Sequence, residues 1–266
     1  MSDNSFIPAL LCQLNASRAR LKKAIHSQQL EMWYQPIVQL ESGCVVGAEA
    51  LIRWPQPDGK LLPPDSFIPF ARETHLLTRM TKWVIEQVLS DLGDWLRQNP
   101  RQYVSINIEP DDLQSTDLLF HLTALCSDYG VRSQQIVLEI TESSMIDPEA
   151  IAPMVECYRK AGHAIYLDDF GSGYANLNYL QALKFDMLKI DKTLVDPVPG
   201  KSLLPQVIAL AQSLSLEPLA EGVETQAQAT WLKSHGVKYA QGWLYSKALT
   251  SRAFIEWSES RYATAD

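Results

Sequence analysis

Apolar, β-branched and aromatic residues gather along the chain in eight short runs, at 31–40, 45–54, 103–109, 135–141, 163–169, 187–191, 217–222 and 239–245. Runs of this length, bounded by polar and turn-forming residues, predict strands. Between most of them the spacing changes to the three- and four-residue steps of a helix with one apolar face. Residues 78–97 show this most clearly, with Met80, Trp83, Val84, Val88, Leu92, Trp95 and Leu96 on one stripe. Segments 202–214 and 226–235 follow the same pattern, and Gly236 after the second is a usual helix stop. Residues 17–30 read as a basic amphipathic helix, and 1–16 as a loose leader or linker ahead of one domain spanning 17–262.

Strand and helix alternating this often predict a mostly parallel sheet. Eight strands in such a chain point to an α/β fold, a (β/α)8 TIM-like barrel, with an open doubly wound sheet as the structural alternative. One connection breaks the pattern. The first two runs are joined only by "ESGC" at 41–44, whereas a parallel crossover needs a dozen residues or more. The first two strands therefore form an antiparallel hairpin with Ser42-Gly43 at the turn, and the barrel has an antiparallel first strand.

The polar residues of these runs carry the chemistry. Barrel interiors are apolar, and active sites collect at the C-terminal ends of the strands. The second run carries Glu49 and then Arg53, the third Asn107, the fourth Glu139 and Glu142. The fifth carries Asp168 and Asp169, the sixth Lys189 and Asp191, the seventh Glu221 and Glu224, the eighth Gln241. One acid at a strand end has a bland explanation, as a helix cap or a lone ion pair. A series of them is different, because each buried acid needs compensation, and adjacent carboxylates such as Asp168 and Asp169 also repel each other. A divalent cation compensates several at once. The donors are carboxylate and amide oxygens, which suit Mg²⁺, Mn²⁺ or Ca²⁺ rather than zinc or copper. More carboxylates converge than one ion uses, which favours two. Paired metals bridged by an aspartate serve in-line displacement at a phosphodiester, and Lys189 and Arg53 supply positive charge for phosphate oxygens. The bland reading of each of these two cations is a structural ion pair.

Composition narrows this further. Formal net charge is −8, from 23 basic and 31 acidic residues, which argues against a general binder of nucleic-acid backbone and disfavours a general nuclease. The hydrophobic share of 46% is enough for a substantial core. Cys12, Cys44, Cys126 and Cys157 form no Cys-x-x-Cys pair and read as buried free thiols in a reducing compartment. The five histidines have no metal-ligand spacing. No segment approaches the ~20 continuous apolar residues of a membrane helix, and the chain reads as a cytoplasmic domain.

Asp169-Phe170-Gly171 spells a kinase metal motif, but no His-Arg-Asp, glycine loop or Ala-Pro-Glu accompanies it. Gly171-x-Gly173 is followed by Asn176 where a third glycine would complete a dinucleotide loop. Both readings are discarded. The blocks "EALIRW" at 49–54, "LDDFGSGYANLNYL" at 167–180, "LKID" at 188–191, "AEGVET" at 220–225 and "QGWLYS" at 241–246 resemble the EAL-domain family of cyclic di-GMP phosphodiesterases. "YQPIV", "FIPFARET", "SINI" and "LEITES" match further blocks of that family in its order.

The resemblance implies a barrel with a reversed first strand and hydrolysis of cyclic di-GMP to linear pGpG, lowering a messenger that controls motility and biofilm transitions. It implies Mg²⁺ or Mn²⁺ as cofactor, two ions per site, with Ca²⁺ inhibitory. Glu49, Asn107, Glu139 and Asp168 are implied as ligands of one metal, and Asp168 and Asp169, helped by Glu221, as ligands of the other. Glu221, Lys189 and Glu49 are the implied catalytic residues, with Lys189 on the nucleophilic water or the phosphate and Glu221 as general base or positioner of water. Gln35, Leu51, Arg53, Lys189, Asp191 and Gln241 are implied substrate contacts, and Glu224 and Gln241 support the site from its edge. Glu142 is implied to anchor the loop containing Gly171, Ser172 and Gly173, which the family ties to metal binding and dimerisation. Ser172 replaces a usual Thr and keeps its hydroxyl, and Ala248 replaces a usual Pro. A homodimer, and an upstream sensor or membrane-anchored input domain in a longer chain, are the implied partners. The competing reading is a receptor or interaction module that kept the fold and lost turnover.

Overall fold

The computed structural model describes residues 17–27, 29–141, 147–173, 177–196 and 203–262. Helix α1 (17–26) leads into β1 (Glu31–Gln39) and β2 (Val45–Pro55). A short β3 (Leu61–Leu62) is followed by α2 (Ile68–Glu73), α3 (Leu77–Gln98) and β4 (Tyr103–Asn107). Then come α4 (Pro110–Leu113), α5 (Thr116–Asp128), β5 (Ile136–Thr141), α6 (Pro148–Lys160), β6 (Ile165–Phe170) and α7 (Leu177–Ala182). The remainder is β7 (Met187–Ile190), α8 (Lys192–Val195), α9 (Leu204–Ser213), β8 (Glu217–Ala220), α10 (Gln226–Ser234), β9 (Tyr239–Gln241), β10 (Leu249–Thr250) and α11 (Ser251–Tyr262).

Eight strands close into a barrel in the order β1-β2-β4-β5-β6-β7-β8-β9, with β9 returning to β1. All neighbours from β2 round to β9 are parallel, and β1 is antiparallel to both its neighbours. This is the barrel with one reversed strand, and it removes the open sheet as an alternative. The hairpin forms as the short connection requires. Gly43 N donates to the Gln39 carbonyl at 2.8 Å, and Gly43 sits at φ +70°, where a residue without Cβ is least strained. β3 pairs with the end of β2 and β10 with the start of β1, capping two edges. Neither was legible as a run, because two residues carry no periodicity.

The helices follow their stripes. Every stripe residue of α3 is buried against the barrel. Asp147 caps α6 and Thr225 caps α10, the latter in a reciprocal capping box with Gln228. Strand ends fall short of the apolar runs where a polar residue takes another task. Asp191 leaves β7 to cap α8, accepting from Thr193 N at 2.9 Å. Of the described cysteines, Cys126 is buried, Cys44 half-buried and Cys157 exposed, so the expectation of buried thiols holds for one position.

The barrel interior sorts by height. Ile37, Val137, Tyr166, Met187 and Leu219 form a small core of their own, apart from the large layer between sheet and helices. Two residues further along β5, β6 and β7, and just beyond β8, stand Glu139, Asp168, Lys189 and Glu221. Side chains two apart on a strand share a face, and each step rises by about 6.6 Å. An apolar layer therefore underlies a charged layer at the C-terminal mouth.

Candidate active site

Lys189 is the hub of the charged layer. Its Nζ lies 2.8 Å from Asp168 Oδ1, 2.8 Å from Glu221 Oε1, 3.0 Å from Glu139 Oε2 and 3.5 Å from Glu49 Oε2. The side chain is fully buried. Glu49 is held from two more sides. Asn107 Nδ2 donates to its Oε1 at 3.1 Å, and Gln241 Nε2 donates to its Oε2 at 2.6 Å. Gln241 also reaches Gln35 Oε1 at 3.2 Å, and Gln35 Nε2 reaches the Ser246 carbonyl at 3.3 Å. Residues from distant parts of the chain thus form one connected polar network.

Asp169 completes the acidic set by an unusual backbone. It takes φ +56°, in the left-handed region that a residue with a Cβ seldom occupies, and the β6–β7 register shifts between Leu167 and Phe170. The irregularity gives Asp169 a partly exposed position beside the buried Asp168, where strict alternation would put it on the opposite face. Such local strain persists only where the surrounding structure enforces it.

Four carboxylates share one ammonium, with Asp169 beside them as a fifth acid, and the proton affinities reflect that imbalance. Burial pushes the Glu139 carboxyl up to about 8, reinforced by Glu49 and Asp168 against the pull of Lys189. Burial also raises Asp168 and, well above the usual range, Glu221. Asp169 rises to about 6, through burial and then the neighbouring Asp168. Glu49 alone goes down: burial opposes its charge, but Lys189, Gln241 and Asn107 together override it. For Lys189, burial is likewise outweighed, and four surrounding acids hold its ammonium well above the ordinary value.

Two carboxylate triads are compact enough to hold a metal ion, Glu49/Glu139/Asp168 and Asp168/Asp169/Glu221. Within each triad, ligand oxygens lie within 4.8 Å of one another, and Asp168 belongs to both. Glu139 Oε1 is buried with no hydrogen-bond partner among the described residues. Surplus negative charge, an unmatched buried oxygen and an all-oxygen donor set fit a hard divalent cation.

A cleft of about 650 Å³ opens over the cluster. Glu49, Asn107, Asp168, Asp169, Glu221 and Gln241 line its base, and Gln35, Leu51 and Glu224 its walls. Lys189 and Glu139 lie beneath it, so Lys189 meets carboxylates where the sequence predicts water or phosphate. Arg53 is off the cleft wall, with Nη1 donating to the Ile52 carbonyl at 2.9 Å. Asp191 is likewise off the wall, occupied in its cap. Gly171 packs where a Cβ would come within 2.3 Å of Leu194, and Ser172 and Gly173 are exposed beside it. Glu142 lies outside the described residues. Trp243 and Lys192 line the cleft without being among the residues the sequence predicts for the site; the signal was there, in the aromatic residue of "QGWLYS" directly after Gln241-Gly242.

Residues 18–248 match the EAL domain family. A relative from Escherichia coli (strain K12), "Probable cyclic di-GMP phosphodiesterase PdeB", is 48% identical over 254 residues, which cover 96% of this chain and 49% of the relative. "Cyclic di-GMP phosphodiesterase NbdA" of Pseudomonas aeruginosa is 34% identical over 242 residues, covering 89% of this chain and 31% of NbdA. The chain therefore spans about half the length of one relative and a third of the other. Among solved structures, the EAL enzyme Bd1971 in its cAMP and cyclic-di-GMP bound form superposes with a TM-score of 0.85 at 30% identity, covering 93% of this chain and 69% of that one. The PaMucR phosphodiesterase in complex with c-di-GMP gives 0.82 at 29% identity, covering 91% and 99%. With a family match over most of its length and the same barrel, this chain belongs to the EAL-domain family.

Proposed function

We propose that the chain is a metal-dependent phosphodiesterase that hydrolyses cyclic di-GMP to linear pGpG. One observation carries the reading: two carboxylate triads sharing Asp168 at the base of an open cleft. The activities for which PdeB and NbdA are named support the substrate. Glu49, Asn107, Glu139 and Asp168 hold one ion, and Asp168, Asp169 and Glu221 the other, with Mg²⁺ or Mn²⁺ as the active metals and Ca²⁺ as an inhibitor. Bound there, the ions lower the pKa of water and neutralise charge building on the phosphate oxygens.

The protein's own residues do the rest. Lys189 ties four acids to one point and so fixes their oxygens before any ligand arrives, which reduces reorganisation during the reaction. Gln241 and Asn107 fix Glu49 by hydrogen bonds. Gln35 and Leu51 line the wall that meets the substrate. Glu221, partly exposed and ionised once bound cations offset its acidic neighbours, would accept the proton of the attacking water as the new phosphorus–oxygen bond forms, and that proton passes to the ribose 3′-oxygen as its bond to phosphorus breaks. Removing the messenger releases motility and biofilm control from it. A homodimer and an upstream input domain belong to the same reading, the latter because the named relatives are two to three times longer.

Purified protein mixed with cyclic di-GMP and Mg²⁺ is expected to give pGpG, and Glu221→Gln to lower kcat by about 10²-fold or more, the usual scale for a lost general base. Tight binding of cyclic di-GMP with no product from the unaltered protein would instead make this domain a receptor.

A further inference from the structure

The apolar layer beneath the charged one also carries hydroxyls. Tyr103, Ser105 and Asn107 are two apart along β4 and so share a face, and Asn107 Nδ2 reaches Glu49 inside the barrel. Gly47 shows that the Tyr103 ring lies inside as well. It stands two residues before Glu49 on β2 and pairs with Tyr103 across the strands. A Cβ on Gly47 would come within 2.7 Å of the Tyr103 carbonyl oxygen and 3.0 Å of its ring, so the glycine makes room for the phenol. On its other side the ring meets Tyr166 edge-on, with centroids 5.7 Å apart. Tyr166 is in turn the direct partner of Glu139 across β5 and β6. Ser105 is fully buried, the partner of Glu49 on one strand and of Val137 on the other.

Three polar atoms of this region are buried with no hydrogen-bond partner among the described residues: Tyr103 Oη, Ser105 Oγ and Glu139 Oε1. Leaving such groups unmatched is costly. The phenol lies within electrostatic reach of the acid cluster. Burial first, then Tyr166 and Glu139, raise its proton affinity well above the ordinary value, and Lys189 opposes them. Each hydroxyl can donate a hydrogen bond, and the ionised carboxylate oxygen can only accept. A buried water makes about three hydrogen bonds to otherwise unmatched groups. One water that accepts from Tyr103 and Ser105 and donates to Glu139 satisfies all three. Glu139 Oε1 keeps a second lone pair for a cation, while Oε2 is engaged by Lys189 at 3.0 Å.

We propose that Tyr103 and Ser105 are positioning residues for Glu139, acting through one water bound between their hydroxyls and Glu139 Oε1; this rests on the metal-dependent reading above and adds the residues that orient one ligand from below. A hydrogen bond to a ligating carboxylate fixes its direction, and losing such a partner costs about 10–100-fold in metal affinity. Gly47 belongs to the same device, because only a residue without a side chain lets the phenol pass beneath Glu49. Neither hydroxyl touches substrate or the reacting atoms. Their loss therefore weakens metal binding and leaves kcat at saturating metal as it was.

Calorimetric titration of Mn²⁺ into the full chain tests this, with Tm in EDTA as the measure of the metal-free fold. Tyr103→Phe and Ser105→Ala are each expected to raise the Kd of one bound Mn²⁺ about tenfold. Tm in EDTA is expected to move by less than about 4 °C, the scale of one hydrogen bond in a chain of this size. Because both hydroxyls act on one water, the double variant is expected to bind no more than about twofold more weakly than the weaker single variant. Raising Mn²⁺ is expected to return kcat on cyclic di-GMP to that of the unaltered protein. Unchanged Mn²⁺ affinity in both variants would overturn the positioning role. So would a larger fall of Tm in EDTA alongside the lost affinity, or single losses that multiply in the double variant. Each of these outcomes leaves the phosphodiesterase reading standing. If the unaltered protein binds Mn²⁺ without turning over cyclic di-GMP, the enzyme reading falls and the Kd values still decide the positioning. If it binds no Mn²⁺, both readings fall.

Discussion

Asp168 shows what one carboxylate contributes here. It belongs to both triads and lies 2.8 Å from Lys189. Burial raises its proton affinity, so its charge is a burden on the folded state with protein groups alone. Asp168→Asn keeps the shape and removes that burden. Turnover is expected to fall at least 10³-fold with unfolding free energy changed by about 1 kcal/mol or less; parallel losses of activity and stability would remove Asp168 from the role of bridge. Lys189→Met is the converse case. It leaves four acids around an apolar chain, and breaking a buried ion network by deleting one partner costs about 3–5 kcal/mol. The loss is expected to be larger at pH 8 than at pH 5.5, because protonation relieves the acids, and denaturant midpoints at both values measure it. Away from the site, His163 is buried with Nδ1 2.9 Å from the Ile136 carbonyl, and burial lowers its proton affinity. The unfolded imidazole therefore takes a proton first as pH falls below about 6.5, so this residue's contribution to stability is present above that value and lost below it. Unfolding free energy measured relative to His163→Phe is therefore expected to decline from pH 7.5 to 5.5, so that the difference between the two proteins isolates this residue from the acid cluster. The acid positions were legible from residue type and place at a strand end. The hub role of Lys189 was not, because no local pattern says that four carboxylates from four strands meet one amine.

At the scale of elements, two glycines with the same substitution separate backbone strain from crowding. Gly43 turns the β1–β2 hairpin at φ +70°, and a Cβ added there would meet nothing within 4 Å, so Gly43→Ala meets only the left-handed penalty. That is about 1 kcal/mol, and turnover is expected to stay as it was. Gly242 ends β9 against the Val223 backbone, where a methyl has no space. Gly242→Ala is expected to cost about 1–3 kcal/mol and to depress turnover as well, since Gln241 and Trp243 flank the displaced residue. Melting temperature and kcat/KM, compared across the two variants, check the contrast. The hairpin itself was readable because four residues cannot carry a parallel crossover. Strand ends were less so: 217–222 stops at Ala220 and 239–245 at Gln241, where the chain turns to present Glu221 and Trp243. Apolar composition continues past both points, so hydrophobic runs alone overshoot.

For the whole molecule, the barrel concentrates part of its net charge of −8 at one mouth. Glu139, pushed up to about 8, and the other raised acids make the fold less stable as pH climbs from their unfolded values towards neutrality and beyond. A divalent cation offsets this. At a hundredfold excess over its Kd, a ligand of the folded state adds about 2.7 kcal/mol, which in a domain of this size raises Tm by roughly 5–10 °C. Mn²⁺ or Mg²⁺ is expected to give such a rise, EDTA to abolish it, and Asp168→Asn to blunt it; scanning calorimetry that shows no response to either ion would leave the acid cluster without a metal role. No described helix is long and apolar enough to cross a membrane.

Sequence alone determined the alternation of strand and helix, the reversed first strand, the all-oxygen donor set and the family blocks, because each is written in spacing, connection length or residue type over a short stretch. Tertiary structure decided which of those residues meet. Glu49 and Gln241 are 192 positions apart and share a 2.6 Å hydrogen bond, and Arg53, on the same strand as Glu49, misses the cleft wall. Alternation assigns a side chain to a face of its own strand. Height and bearing around a barrel depend on register between neighbours and on closure of the whole ring. Those are set by every strand together, so the convergence on Lys189, the left-handed turn at Asp169 and the presented ring of Trp243 exist only once the barrel has closed.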